Sequence, residues 1–391
     1  MKERSRKLVS LFCAVVLIGV MLTGCGSSAK TTAETVTTSP EESTSVEAVS
    51  EATKEAMQTP EAGSDNEALI VAAAQEGKVG NWGLGNEYEV QALLSKYGQD
   101  TSFLSQAFDM DGFDDDSITL ASAMTYNELG LVKNDYDGGY GYGDTVATID
   151  MNEEGVAMLE DNIFCTRTFA EKNPNTVKAF LYASLKGWQY ACENPDEAAE
   201  IVYKYGSSVS PDHQSYMAGE VKKLVETDTS GATVSEYGKM EEASMQQTLD
   251  LAKTYIKLDD SEAAKKLQSL TLDDIRDVSY WEAVAESTDG VFQTPEKTEV
   301  SIQLKWLPQA QFMGYYVALD KGYYEEAGLT VNIVSGGGDI GETTAVNNGT
   351  VDFGVTWVSN LIAADAGGMD LMEIAQIYQR SGLVLVYKAE K

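Results

Sequence analysis

From Val300 onward the chain alternates strands with helices, and that order restricts the core it can build. Val300, Ile302, Leu304 and Trp306 fall on one side of an alternating run, with Ser301, Gln303 and Lys305 on the other. After the loop "LPQAQF", Tyr315 to Ala327 reads as one amphipathic helix stopped at Gly328. A strand "LTVNIV", a loop "SGGGDIG", a helix through Val346, a strand "VDFGVT" and a helix from Ser359 follow. Strands that alternate with helices bury their apolar runs in a mostly parallel sheet covered by those helices, so the stretch predicts an α/β lobe.

A second strand–turn–helix unit stands near the start. Gly77 to Trp82 reads as a short strand, and Glu87 to Tyr97 as a helix with Val90, Leu93, Leu94 and Tyr97 on one face. The turn between them, "GNWGLGNEYE", lacks the full dinucleotide-binding spacing and the acid that would hold a ribose. It reads instead as a turn whose amides and Trp82 face a cleft. The acidic loops "DMDGFDDD" and "DYDGGYGYGD" lack the calcium-loop spacing and its closing glutamate, so solvated loops without metal are expected. Between them, Tyr126, Asn127 and Glu128 could face a ligand or serve packing and capping. From Asn173 the pattern is helical: Pro174 sits at a first-turn position, and Val177, Phe180, Leu181, Ser184, Leu185 and Trp188 form one face. Pro195 opens another helix, and helical segments continue to about Ala285. Trp188 is expected in the core.

The N-terminus sets the expected compartment. Lys2, Arg4, Arg6 and Lys7 precede an apolar stretch, Leu8 to Met21, too short for an ordinary membrane span, and "LTGC" ends at Cys25. This is a lipobox pattern, with a plain signal peptide or short anchor helix as the bland alternative. Residues 1–24 are read as the signal segment, Cys25 as the lipidated residue, and 25–66, free of aromatics, as a disordered tether. A net charge of −34 argues against nucleic acid as a partner, and leaves the lipid at Cys25 as the contact with the membrane. Beyond the signal only Arg167, Arg276 and Arg380 are arginines, few for clamping an anion. The single histidine, His213, removes most metal and triad chemistry. Cys165 and Cys192 could pair, but nothing in their spacing requires it.

"LKWLPQAQFMGYYVALDKGYYEEAGL", "VDFGVTWVSNLIAA" and "IAQIYQRSGLVLV" resemble the N-terminal half of the SsuA/Thi-type, thiamine-pyrimidine-synthase-like solute-binding proteins. "GKVGNWGLGNEYE", "FDM", "AMTYNE", "GVAMLEDNIF" and "NPNTVKAFLYASLKGWQYACENPDEAAEIVYKYG" resemble the C-terminal half. The blocks stand in reversed order, as in a circular permutant. The resemblance implies a type II periplasmic-binding fold, two α/β lobes that close on a ligand. The expected plan is residues 67–157 as one lobe, 158–286 as the helical part of the other, 287–299 as a linker between old termini, and 300–391 as the second lobe's α/β part. A single covalent crossing near Met151 to Met158 is expected to leave a loose hinge, with Lys388 brought close to Lys78.

The resemblance also implies a monomer that captures a small solute for an ABC permease and ATPase, with no cofactor. Enzymes of the wider family bind pyridoxal phosphate on a lysine, donate a histidine and carry a cysteine-rich motif. Those positions fall here on Thr356, Asn360 and the stretch Gly155 to Leu159, so no catalysis is expected. The wording is closest to riboflavin-binding-like members, and a flavin or a thiamine-type pyrimidine is the expected solute. A sulfonate or nitrate held by Arg380 and the glycine loop, or a sensor lipoprotein that feeds no importer, are the alternatives.

Candidate ligand contacts combine aromatic planes with amides, which suit a flat heterocycle. They are Trp306, Gln309, Gln311, Phe312, Tyr315, Gly337, Asp339, Thr356, Trp357, Asn360 and Arg380, facing Trp82, Asn86, Glu87, Tyr126, Asn127 and Glu128.

Overall fold

The computed structural model describes residues 65–287, 290 and 292–389. The expected signal segment, lipidation at Cys25 and nearly all of the tether 25–66 lie outside these residues. So does part of the linker 287–299.

Two five-stranded sheets organise the chain. The first has the order β2-β1-β3-β10-β4 and the second β7-β6-β8-β5-β9. In the first, β1 (Val79–Asn81), β2 (Leu104–Ser105) and β3 (Leu120–Met124) run parallel, and β10 (Leu383–Lys388) lies antiparallel between β3 and β4 (Val146–Asp150). In the second, β6 (Glu299–Gln303), β7 (Thr330–Val334) and β8 (Phe353–Gly354) are parallel. Here β5 (Asn162–Thr166) lies antiparallel between β8 and β9 (Leu371–Gln376).

The sheets therefore share one plan: three parallel strands, then an antiparallel strand that arrives from the other lobe. β5 enters the second sheet after β4, and β10 enters the first after β9. This is the mixed α/β, two-lobed arrangement of a periplasmic-binding fold.

The position of β10 corrects the expected lobe plan. Residues 300–391 do not all belong to the second lobe, because "LVLVYK" completes the first sheet. Its apolar alternation is matched there, with Leu383, Val384, Leu385 and Val386 all buried against β3 and β4. The chain thus crosses twice, at 151–161 and at 377–382. The crossings are tied side by side: Asn152 Nδ2 donates to Ser381 O at 2.9 Å, and Ser381 N donates to Asn152 Oδ1 at 3.1 Å. The single crossing is not what the chain builds. Lys388 and Lys78 do lie at the same end of the first sheet. Lys388 pairs with Val146 on β4, Val386 with Ala121 on β3, and Thr119 N just beyond donates to Lys78 O at 2.9 Å.

The helical stretch covers the second sheet. Pro174–Glu193 begins at Pro174 as expected, and its apolar face buries Val177, Phe180, Leu181 and Trp188. Phe180 stacks on Phe353 of β8 at 3.9 Å between centroids, and Trp188 meets Tyr315 edge-on at 5.5 Å. Tyr315 to Ala327 is not one helix. It divides into Met313–Asp320 and Tyr323–Glu326, because Gly322 takes a left-handed conformation (φ 75°) that helices do not propagate. Gln303 and Lys305, expected on a polar face, are buried, since β6 and the loop that leaves it lie between layers. Cys165 and Cys192 are both buried free thiols. Among the described residues no helix is long and apolar enough to cross a membrane.

Candidate ligand-binding cleft between the lobes

The parallel strands of both sheets point their carboxyl ends at one cleft, the usual place for a ligand in open α/β sheets. In the first lobe, Asn81 at the end of β1 organises the turn that carries Trp82. Its Nδ2 donates to Ser122 Oγ at 2.9 Å, and its Oδ1 accepts from Gly83 N at 2.8 Å. Trp82 Nε1 donates to Ala107 O at 3.1 Å, which brings the loop bearing Phe108 alongside. Past the end of β3, buried Tyr126 packs edge-on to Tyr378, with centroids 5.8 Å apart. Glu128 accepts from Met124 N at 3.0 Å and from Asn127 Nδ2 at 2.8 Å. Burial outweighs those bonds and pushes its carboxyl up to about 7.

In the second lobe the segment after β6 carries Lys305 and Trp306. The Lys305 ammonium lies 4.4 Å from the centre of the Trp357 ring and 3.4 Å from Glu342 Oε1, which also accepts from Thr356 Oγ1 at 2.5 Å. Gln309 Nε2 donates to Gln311 Oε1 at 2.7 Å, and Gln311 Nε2 donates to Asp161 Oδ2 at 2.9 Å. Burial raises the Asp161 carboxyl to about 7, while its bond from Gln311 works the other way.

The two walls meet. Phe108 and Trp306 touch edge-to-face at 5.1 Å. Ser359 Oγ donates to Gly85 O at 2.6 Å, and Asn360 Nδ2 to Leu84 O at 3.0 Å. Gly85 is required here: its φ is 116°, and a Cβ would run into the Asn360 amide. Deeper in, His213 of the second lobe bridges Asn127 and Tyr136 of the first. Its Nε2 lies 2.8 Å from Asn127 Oδ1 and its Nδ1 2.5 Å from the Tyr136 hydroxyl. One neutral tautomer satisfies both, with Nε2 donating and Nδ1 accepting from the phenol. Burial lowers the imidazole to about 4.

Trp82, Leu84, Phe108, Met124, Tyr126, Trp306 and Trp357 are the apolar part of a cavity between the walls, with Asn127, Glu128, Lys305, Gln309 and Gln311 as its polar part. Its volume is about 50 Å³, far below the roughly 300–1,000 Å³ of small-molecule sites. As it stands the cavity is too small to hold a ring-sized molecule. A second, larger cleft of about 400 Å³ adjoins it and shares Leu84, Lys305 and Trp306.

Of the residues singled out in the sequence, Trp82, Tyr126, Asn127, Glu128, Trp306, Gln309, Gln311 and Trp357 come together on the first cavity. Gly337 and Asn360 line the second. The others are placed elsewhere. Phe312 and Tyr315 are buried in the core, because the helix they enter packs against Pro174–Glu193. Thr356 is wholly buried and bonded to Glu342. Asn86 is buried behind the turn, its Nδ2 3.7 Å from Met124 Sδ, and Glu87 accepts from Gly85 N at 2.6 Å. Asp339 is exposed. Arg380 is at the hinge, paired with Asp150 at 3.0 Å. Leu84, Phe108, Met124 and Lys305 line the first cavity without having been singled out. Among the described residues no group of three or more His, Cys, Asp or Glu side chains is placed to hold a metal ion.

A comparison with curated proteins returns no match. A family model described as "NMT1/THI5 like" matches residues 75–198 and 309–391, just over half of the chain and nearly all of the cleft. That family joins thiamine-related proteins with solute-binding proteins that typically work with ABC-transporter components. The chain, with its two α/β lobes around an aromatic cleft, belongs to the NMT1/THI5-like family.

Proposed function

We propose that this protein captures a small flat heterocycle between its lobes, a flavin such as riboflavin or a thiamine-type pyrimidine, and delivers it to an ABC permease and its ATPase. The observation that carries the reading is the cavity itself, where Trp82 and Phe108 face Trp306 and Trp357 with glutamine amides at its edge. Stacking on such rings contributes about 0.5–1.5 kcal/mol per pair beyond buried area. Amides and carboxyls then read donor and acceptor edges. The protein binds rather than catalyses. Thr356 and Asn360, which stand where the resemblance would put the lysine and histidine of the synthases, are engaged with Glu342 and with Leu84 O.

In this reading the chain is a circular permutant of the family plan, anchored as an extracytoplasmic lipoprotein through Cys25. β10 and β1, the strand that follows Lys78, flank β3 on its two sides in one sheet, a placement that supports the permuted order.

The test is the spectrum and native mass of whatever co-purifies with the full chain, followed by titration. Flavin absorbance, or the mass of an aminopyrimidine, is expected. Sulfonate or nitrate binding more tightly than either heterocycle, and lost in Arg380→Ala, would overturn the proposal. Cys25→Ala is expected to release the protein from the membrane with its affinity unchanged, and full retention would remove the anchor.

A further inference from the structure

The aromatic cavity adjoins a second cleft, and Leu84, Lys305 and Trp306 line both. The two differ in character. The first is walled by aromatic rings. The second mixes the polar Glu342, Thr343 and Asn360 with small and aliphatic residues such as Gly338, Ile340 and Ala363, and holds about 400 Å³. A lone flat ring seated between the aromatic walls leaves this second volume unfilled.

We propose that the ligand is bipartite: a flat ring held in the aromatic cavity, and an uncharged, polyhydroxylated arm lying in the second cleft beside Lys305 and Glu342. This rests on the heterocycle-binding reading and narrows it to rings that carry such an arm.

The pair at the junction is the second observation. Lys305 and Glu342 are each about nine-tenths buried, yet the contact between them is 3.4 Å long. An ammonium has three hydrogens, and Lys305 directs its hydrogen bond to this distant oxygen, with the Trp357 ring centre 4.4 Å away. Glu342 Oε1 also accepts from Thr356. The junction thus presents a buried donor and a buried acceptor side by side. Hydroxyls, which both donate and accept, satisfy the two at once.

A phosphate arm does not fit as well. It would add charge next to the Glu342 carboxylate, within a protein of net charge −34, where Lys305 is the lone cation among the residues lining the two cavities. The cleft also carries no arginine to take a phosphate bidentately.

Titration of the full-length protein by tryptophan fluorescence separates the cases, with riboflavin, lumichrome (the ring without the arm) and flavin mononucleotide as probes. Riboflavin is expected to bind about tenfold or more tightly than lumichrome, and more tightly than the mononucleotide, as hydrogen bonds to charged groups allow. Thr343→Phe and, separately, Ala363→Phe, which narrow the second cleft, are expected to bring riboflavin down to the lumichrome level. Lumichrome itself should stay within about twofold of its wild-type affinity.

Lumichrome or the mononucleotide matching riboflavin on the wild-type protein overturns the arm and leaves the ring-binding reading standing. So does a bare aminopyrimidine that binds where no flavin does. If neither flavins nor pyrimidines bind, the function reading falls and the arm with it. The wild-type comparison decides even if both variants fail to fold.

Discussion

The two walls of the cleft are built by different means. On the second lobe, Gln309, Gln311 and Lys305 are buried and wired to carboxylates, Asp161 and Glu342, behind the surface they present. On the first lobe, Trp82 and Leu84 are half-buried on a turn, and Phe108 is 55% exposed on a loop. One wall is held by side chains bonded to one another and to buried carboxyls; the other is carried on loops whose backbone groups are tied by single side chains, Asn81, Trp82, Ser359 and Asn360. On the proposed reading the difference divides the work: the wired wall fixes the orientation of a ligand, and the loop wall closes over it and governs release.

The largest effect is expected from cutting the wiring. Gln311→Leu removes the amide that donates to buried Asp161. An uncompensated buried acceptor costs about 1–3 kcal/mol, more when charged, and the carboxyl limits that cost by taking up a proton near neutral pH. We expect a loss of about 3 kcal/mol in denaturant-unfolding stability. A loss under about 0.5 kcal/mol would show that this wall is no more rigid than the other.

Next in size is the pair of aromatic truncations. Trp306→Ala is expected to weaken ligand binding by about 2 kcal/mol, as buried interface aromatics do. Phe108→Ala should cost about 1 kcal/mol, seen mainly as faster dissociation. Equal effects of the two, with unchanged off-rates for Phe108→Ala, would erase the division of labour.

How much of this was legible in the sequence follows the same division. The helix Glu87–Lys96, Pro174–Glu193 and the strands of 300–391 were read from local signals: apolar spacing, a proline in the first turn, alternation. Eight of the residues lining the cavity were named because aromatics and amides stood next to strand ends. Lys305 was placed on the polar side of an alternating strand, where lysine is usually solvated, and sequence gives no sign of Glu342 waiting for it across 37 positions. Phe312 and Tyr315 look like Trp306 in composition. Only the packing of their helix on Trp188 puts them in the core. The membership of β10 in the first sheet was equally hidden, since an apolar run fits either sheet and the choice is made by long-range pairing with β3 and β4.

A third prediction concerns the contact that joins the walls at depth. His213 is neutral between Asn127 and Tyr136, with its pKa lowered from 6.5 to about 4 by burial. Asp212 and Glu220 lie on its own helix, Tyr216 stacks on it, and Glu128 stands beyond Asn127. If parting the lobes returns the ring to water, the open form takes a proton below 6.5 while the closed form resists until about 4. The closed state is then favoured above 6.5 and loses that advantage as pH falls toward 4. At pH 5 the difference is about 2 kcal/mol. The raised carboxyls of Glu128 and Asp161 act in the opposite direction, so the informative quantity is the difference from His213→Gln. Ligand affinity of the wild type should fall more steeply than that of the variant between pH 6.5 and 5. Parallel curves would show that His213 stays buried in both states and does not report closure.

The smallest effect is expected at the hinge, where the chain crosses twice. Arg380 pairs with Asp150 next to the Asn152–Ser381 clamp. Their side chains are 19% and 22% exposed, so water still reaches the pair, and Asp150 keeps its bonds from Asn152 without it; the worth assigned to it is about 1 kcal/mol. Arg380 also lies off both cavities. Arg380→Ala is therefore expected to change affinity for a neutral heterocycle by no more than about twofold, because Asn152 still clamps Ser381 and β10 stays paired. Small-angle scattering with and without ligand should show the same opening in variant and wild type. A marked widening of the ligand-free form would mean that the ion pair, rather than the paired crossings, limits how far the walls part. The comparison of walls would then have to include a hinge that sets their separation.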